Sequence, residues 1–256
     1  MNLNWSDITH VTKADPAKEL PPDIDVLDRT DAVLVGGSDG VTAENTLDTI
    51  RAIKRRFPEK PVLQEPYSSS HVSTDTVEEA DFVAIPAVYN GDKEHFVEKH
   101  VDLFTEVGSK PDEIFGTGLP VLGDLIASKG LDVVSRMANK IIGEGYVIQN
   151  LESTAAAVSG VDAAYSSEQV AGAALATESF YGFPVFYLEY SGTYGGPADV
   201  EAAATYLDDT VFLYGGGIDR KQRADEIIDA GADAIVVGDC FHEDPERFLE
   251  TIPSRS

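Results

Sequence analysis

Short apolar runs alternate with longer amphipathic stretches along this chain, the pattern of parallel β/α units. Eight runs read as strands: 7–11, 32–35, 62–64, 82–85, 146–149, 185–188, 211–214 and 234–237. They are rich in β-branched and aromatic residues and break off at polar or glycine positions, as strands covered on both faces do. Between them, Thr42 opens the run AENTLDTIRAIKRRF, which places Leu47, Ile50 and Ile53 on one helical face before Pro58 stops it. Further helices are expected over 94–107, with Phe96, Val97, Val101, Leu103 and Phe104 as the apolar stripe, and over the alanine-rich 167–179. The stretch 219–230, closed by Gly231, and the stretch 244–250 complete the helical pattern.

Two stretches break the rhythm. PYSSSHVSTDT, after the third strand, is too short and polar for a full covering helix, and 86–144 is too long to hold only one. Eight strands in β/α order predict an α/β fold, a modified (β/α)8 TIM barrel irregular near strand three, with residues 1–256 as a single barrel domain. A doubly wound open sheet is the rival, but no GxGxxG follows any strand, so a dinucleotide fingerprint is missing.

Charge narrows the function. Asp and Glu number 45 against 19 Lys and Arg, a net charge of -26, which argues against nucleic acid as a partner. A few backbone N–H groups can still make a local phosphate site. The acidic excess also resembles proteins of salt-in halophiles, whose self-repulsion is screened by concentrated ions. Apolar content of 43% excludes general disorder. The single cysteine, Cys240, excludes an internal disulfide and a multi-cysteine zinc site, and reads as a core thiol. No apolar run reaches the roughly 18 residues of a membrane span. MNLNWSDITH has no signal-peptide pattern, so a cytoplasmic location is expected.

In a barrel of this kind, chemistry gathers where strands end and βα loops begin. Glycines after strands seven and eight, Gly215-Gly216-Gly217 and Gly238-Asp239, let backbone approach an oxyanion, and Ser191-Gly192 ends the strand before them. One such turn can be a mere connector; together they read as a phosphate cup. Lys13 and Asp15 stand one residue apart past strand one, a compact cation for phosphate and a hard oxygen ligand for Mg²⁺, or else a solvated charge pair. Ser38 offers a hydroxyl ligand or a cap for the helix near Thr42. Glu189 ends an apolar strand, a costly place for a carboxylate that neither accepts a substrate proton nor pairs across the barrel mouth. His10 reads as a hydrogen-bonded strand residue rather than a base.

The segments HVTKADP, VGGSDGV, FVAIPAVYN followed by EKH, GEGYVIQNLESTAAAV, YLEYSG, GGGI and VVGD resemble, in order and spacing, those of the geranylgeranylglyceryl phosphate synthase family, archaeal and by its acidity haloarchaeal. They run from residue 10 to residue 239, nearly the whole chain. Ala14 departs from the family's larger apolar residue, which puts only local packing in doubt. The resemblance implies a modified barrel with non-helical chain near strand three. It also implies transfer of a geranylgeranyl group from its diphosphate to the C3 hydroxyl of sn-glycerol 1-phosphate, in ether-lipid synthesis. By position, Lys13, Tyr187, Leu188, Glu189, Tyr190, Ser191, Gly192, Gly217, Gly238 and Asp239 match substrate-binding residues, and Asp15 and Ser38 match those assigned to Mg²⁺. Glu189 is the candidate catalytic base. A homodimer is expected, and Tyr89, Tyr181 and Phe183 are candidates for a prenyl groove or for core. The alternatives are a longer prenyl donor, an isomerase or aldolase using Lys13 or Glu189, or a non-catalytic phosphate-binding protein.

Overall fold

The computed structural model describes residues 5–102 and 138–253. Eight parallel strands close into a barrel in sequence order: β1 (His10–Ala14), β2 (Ala32–Val35), β3 (Val62–Gln64), β4 (Phe82–Val88), β5 (Ile141–Ile148), β6 (Val185–Glu189), β7 (Val211–Gly215) and β8 (Ala234–Val237). β8 returns to β1 with Val11 opposite Val236, which closes the ring. The (β/α)8 architecture expected from the run order is therefore the one observed.

Alternate strand residues point to opposite faces, so each strand builds two cores at once. Val11, Leu34, Leu63, Tyr146, Tyr187, Leu213 and Val236 fill the barrel interior. Val33, Val35, Val147, Phe186, Leu188, Phe212 and Ile235 face outward against the helices. α1 (Ala43–Arg56) buries Ile50 and Ile53 there, with Leu47 half-buried. Thr42 accepts the Asn45 N–H while Asn45 accepts the Thr42 N–H, a reciprocal cap. The cap is thus Thr42 itself and not Ser38.

After β3, the polar stretch forms a 3₁₀ turn (Ser69–His71) and α2 (Thr74–Glu79), so the irregular segment keeps a six-residue helix rather than none. α3 (Thr154–Val158), α4 (Ser167–Ala176), α5 (Ala198–Ala204), α6 (Lys221–Asp229), α7 (Asp239–Glu243) and α8 (Pro245–Leu249) follow. Alanines on α4 and α5 let these two helices approach closely, burying Val170, Ala174, Val200 and Ala203.

Several boundaries differ from expectation for physical reasons. Trp5–Asp7 is a 3₁₀ turn, and β1 starts at His10 and runs through Lys13, whose polarity masks a strand residue pointing inward. β4 continues through Pro86, which forfeits one ladder N–H, and His100 Nε2 donates to the Pro86 carbonyl at 3.1 Å. β5 starts at Ile141, five residues early, because Glu144 and Gly145 dilute its apolar signal. Gly145 is small of necessity, since a side chain there would collide with Thr177 and the Tyr89 hydroxyl. The helix expected over 94–107 opens as a π-type turn, Glu94–Glu98, whose wider winding rotates the stripe and leaves Val97 and Val101 exposed. Residues 103–107, and most of the multi-helix connection expected within 86–144, lie outside the described residues.

Candidate functional site

A cavity of about 840 Å³ opens at the C-terminal ends of the strands. Lys13, Asp15, Ser38, Tyr187, Glu189, Ser191, Gly192, Gly217, Gly238 and Asp239 all line it. Leu188 and Tyr190 do not. Strand alternation turns Leu188 outward into the helix-facing core, and the Tyr190 hydroxyl donates to Asp199 at 2.6 Å. Any contact they make with a substrate in the cavity is therefore through main chain.

Glu189 is 6% exposed and held at two points. Oε1 accepts the Ser191 N–H at 2.5 Å, and Oε2 accepts the Tyr146 hydroxyl at 3.2 Å. Burial, then the carboxylates of Glu65 and Glu189, hold the Tyr146 phenol well above its usual range, so it remains a donor. Tyr187 behaves likewise under burial and Glu189, and its ring lies 4.6 Å from that of Tyr146.

The turn after Glu189 enters the left-handed region at Ser191 (φ 37) and Gly192 (φ 75). Gly217, with φ 59, continues this conformation after β7, and a side chain there would collide with the backbone of Thr193 and Tyr194. Arg223 braces the same turn: its Nη1 donates to the Gly217 carbonyl at 2.8 Å while the guanidinium lies 4.7 Å over the Tyr194 ring. Asp219 binds Arg220, Arg223 and Arg247 together, and its hydrogen bond to Arg220 holds its carboxyl below the usual range. Glycine-rich backbone and a cation thus meet at one rim, a setting for a phosphate.

Lys13 lies inside the barrel, 2.5 Å from Glu65 and 5.6 Å over the Tyr187 ring. Burial alone would lower its pKa, but Glu65 and Glu189 outweigh this and raise it. A lysine nucleophile for an imine needs the opposite shift, which opposes the aldolase reading. On the neighbouring strand end, after β1, Asp15 Oδ1 accepts the Ala17 N–H at 2.9 Å, and the Asp15 N–H donates to His242 Nε2 at 2.9 Å. Burial lowers the His242 pKa, which keeps that nitrogen an acceptor. The Asp15 carboxylate rests against Gly37, where any side chain would collide with it, one residue from Ser38.

A family model described as the PcrB family matches residues 3–255. The chain belongs to the PcrB family. The PcrB-family chain is 32% identical over 256 residues to geranylgeranylglyceryl phosphate synthase of Methanocella arvoryzae, covering 98% of each. It is 31% identical over 253 residues to heptaprenylglyceryl phosphate synthase of Lysinibacillus sphaericus, covering 98% of this chain and 97% of that one. The crystal structure of (S)-3-O-geranylgeranylglyceryl phosphate synthase from Thermoplasma acidophilum with sn-glycerol-1-phosphate superposes with a TM-score of 0.73 at 21% identity. That match spans 98% of this chain and 99% of the other, and at such identity it speaks for the fold.

In this PcrB-family chain Asp15 and Ser38, both hard-oxygen side chains, line the cavity, and the Asp15 carboxylate packs on Gly37, the residue before Ser38. Such a pair fits Mg²⁺, which takes few protein ligands and fills its shell with phosphate oxygens and water. Among the described residues no cluster of three or more His, Cys, Asp or Glu is placed to hold a metal without such help. Sequence reasoning missed Glu65, Lys99, Glu144 and Arg223. Glu65 carries the same signal as Glu189, a carboxylate directly after an apolar strand, and Lys99 sits in the EKH segment. His10 is buried, with its ring between the hydroxyls of Thr30 (2.9 Å) and Thr251 (3.0 Å), and Cys240 is buried with its thiol 3.7 Å from the Ile218 carbonyl. Tyr89, Tyr181 and Phe183 form a continuous aromatic ridge, with centroids 5.8 and 5.3 Å apart, capped by the exposed ring of Phe180. No described helix is long and apolar enough to cross a membrane.

Proposed function

We propose that this chain is a prenyltransferase that joins the geranylgeranyl group of geranylgeranyl diphosphate to the C3 hydroxyl of sn-glycerol 1-phosphate and releases diphosphate. One observation carries the reading: a single cavity is lined by the glycine turns after β6, β7 and β8, by the doubly held carboxylate of Glu189 and by Asp15 and Ser38. The names of the two full-length relatives, both prenylglyceryl phosphate synthases, support it.

Glycerol phosphate docks with its phosphate on Gly217, Gly238 and Ser191-Gly192, which directs its free hydroxyls toward Glu189. Glu189 accepts a hydrogen bond from the C3 hydroxyl. As the oxygen bonds to the prenyl C1, the C1–O bond to the leaving group breaks, its electron pair departs with diphosphate, and the hydroxyl proton passes to Glu189. Mg²⁺, held by Asp15 and Ser38, would neutralise charge on the departing diphosphate. Lys13, kept cationic by Glu65, adds a fixed positive charge below the reacting atoms. The apolar chain of the donor follows the ridge of Tyr89, Tyr181 and Phe183.

The acidic composition fits a haloarchaeal cytoplasm, and a homodimer is proposed from the family resemblance. Incubation with labelled sn-glycerol 1-phosphate, Mg²⁺ and prenyl diphosphates of 20 and 35 carbons tests the reading. Product from the 20-carbon donor is expected; product from the 35-carbon donor alone would overturn the geranylgeranyl assignment, and no product from either would overturn the transfer itself.

A further inference from the structure

Lys99 has no role in the chemistry above. It lies just past the π-type turn that follows β4, its side chain reaches the cavity, and it is only 9% exposed. Its Nζ is buried without a hydrogen-bond partner. A buried ammonium left unpaired is unfavourable, and a fold retains one where a ligand completes it.

The carboxylates around it do not supply that partner. Glu65 Oε2 is engaged by Lys13, and its Oε1 is unbonded. Glu144 is 0% exposed and neither oxygen is bonded; burial, then Glu65, push its pKa well above the usual range. Asp92 and Glu94 act on Lys99 from greater range, and Asp92 is hydrogen-bonded to His95. Burial pulls the Lys99 pKa down to about 8 against the opposing pull of Glu65 and Glu144, which leaves the ammonium mostly charged at neutral pH. Lys13, by contrast, already has a hydrogen-bonded partner in Glu65. In the closed ring β4 lies three strands from β7 and four from β8, away from the Gly217 and Gly238 turns of the glycine cup. An anion meeting Lys99 is therefore a different group from the phosphate in the cup.

We propose that Lys99 is a binding residue for the diphosphate of the prenyl donor, its ammonium donating to a diphosphate oxygen that fills the partnerless position. This rests on the transfer reaction proposed above. It makes the donor's anion bridge two walls, with Asp15 and Ser38 on one and Lys99 on the other.

Lys99→Met and Lys99→Arg would be compared with the wild-type full chain by titration calorimetry with inorganic diphosphate and Mg²⁺, and by KM for each substrate. Lys99→Met is expected to weaken diphosphate binding about tenfold or more, the loss of one charge-assisted hydrogen bond. KM for the donor should rise in parallel, KM for glycerol phosphate should stay within about twofold, and Lys99→Arg should recover part of the loss. Wild-type diphosphate affinity should also decline above about pH 8, a decline missing in Lys99→Met. Equal diphosphate affinity in wild type and Lys99→Met would overturn the assignment, as would a loss confined to glycerol phosphate. If Lys99→Met does not fold, an Arg variant with wild-type affinity and no change in the pH profile would overturn it equally. Wild-type protein that forms no prenyl ether, yet loses diphosphate binding in Lys99→Met, would sink the transfer reaction and support the Lys99 site.

Discussion

Replacing Glu189 with glutamine keeps the side chain's length and planarity and removes its charge. The two donors that hold it respond differently. The Ser191 N–H, at 2.5 Å, can only donate, so the amide oxygen must stay there. The Tyr146 hydroxyl, at 3.2 Å, can rotate and accept from the new NH2 group. Both contacts survive in Glu189→Gln, and the stability cost is expected to be about 1 kcal/mol, the scale of one neutral hydrogen bond. Turnover should suffer far more. Loss of a positioned base costs roughly 10²–10⁴ in rate, or about 3–5 kcal/mol of barrel-mouth catalysis. Affinity for glycerol phosphate should change by less than about tenfold, because the proposed binding mode grips its phosphate with the glycine turns and brings only a hydroxyl to Glu189. Single-turnover rates, equilibrium binding of glycerol phosphate and a thermal melt separate the three quantities. A rate within about threefold of wild type, or a rate loss matched by an equal loss of binding, would refute the base assignment.

Asp15→Ala should abolish Mg²⁺-stimulated transfer while glycerol phosphate still binds, read by Mg²⁺ titration of activity beside calorimetry; retained stimulation would remove the metal assignment. His10 adds a pH dependence to stability: burial lowers its pKa from the usual 6.5 to about 4, so it is neutral in the fold. Its contribution is complete above pH 6.5 and is lost as pH falls toward 4, about 3 kcal/mol in denaturant unfolding, with His10→Asn reducing that slope. The net charge of -26 predicts that added KCl raises the melting temperature well beyond the range where ordinary acidic proteins level off, checked by melts from low to multimolar salt.

The barrel was legible because parallel strands buried on both faces announce themselves as unbroken apolar runs, as Ala32–Val35 and Ala234–Val237 do. The same logic misled wherever a strand carries function. Lys13 reads as lying past the first strand and is the penultimate residue of β1, pointing inward to Glu65. Glu144 sits in mid-strand, so β5 read as four residues instead of eight. Interior charges are invisible to periodicity because a polar residue at one inward position looks like a break. YLEYSG located the stretch around Glu189 but could not divide its side chains; only the alternation observed in β6 separates inward Tyr187 and Glu189 from outward Leu188. Lys99 comes to the cavity from the EKH segment, whose match in order and spacing does not say which of its side chains turns inward, and Arg223 from the first turn of α6, where nothing local marks it.

A crystal structure with sn-glycerol 1-phosphate and a non-reactive prenyl diphosphate analogue tests the central arrangement most directly. The account predicts the phosphate on the Gly217 and Gly238 turns, the C3 hydroxyl in hydrogen-bond contact with Glu189, and the donor's C1 on the far side of that oxygen. A phosphate bound at the Asp15 rim, or a C3 hydroxyl turned away from Glu189, would contradict it.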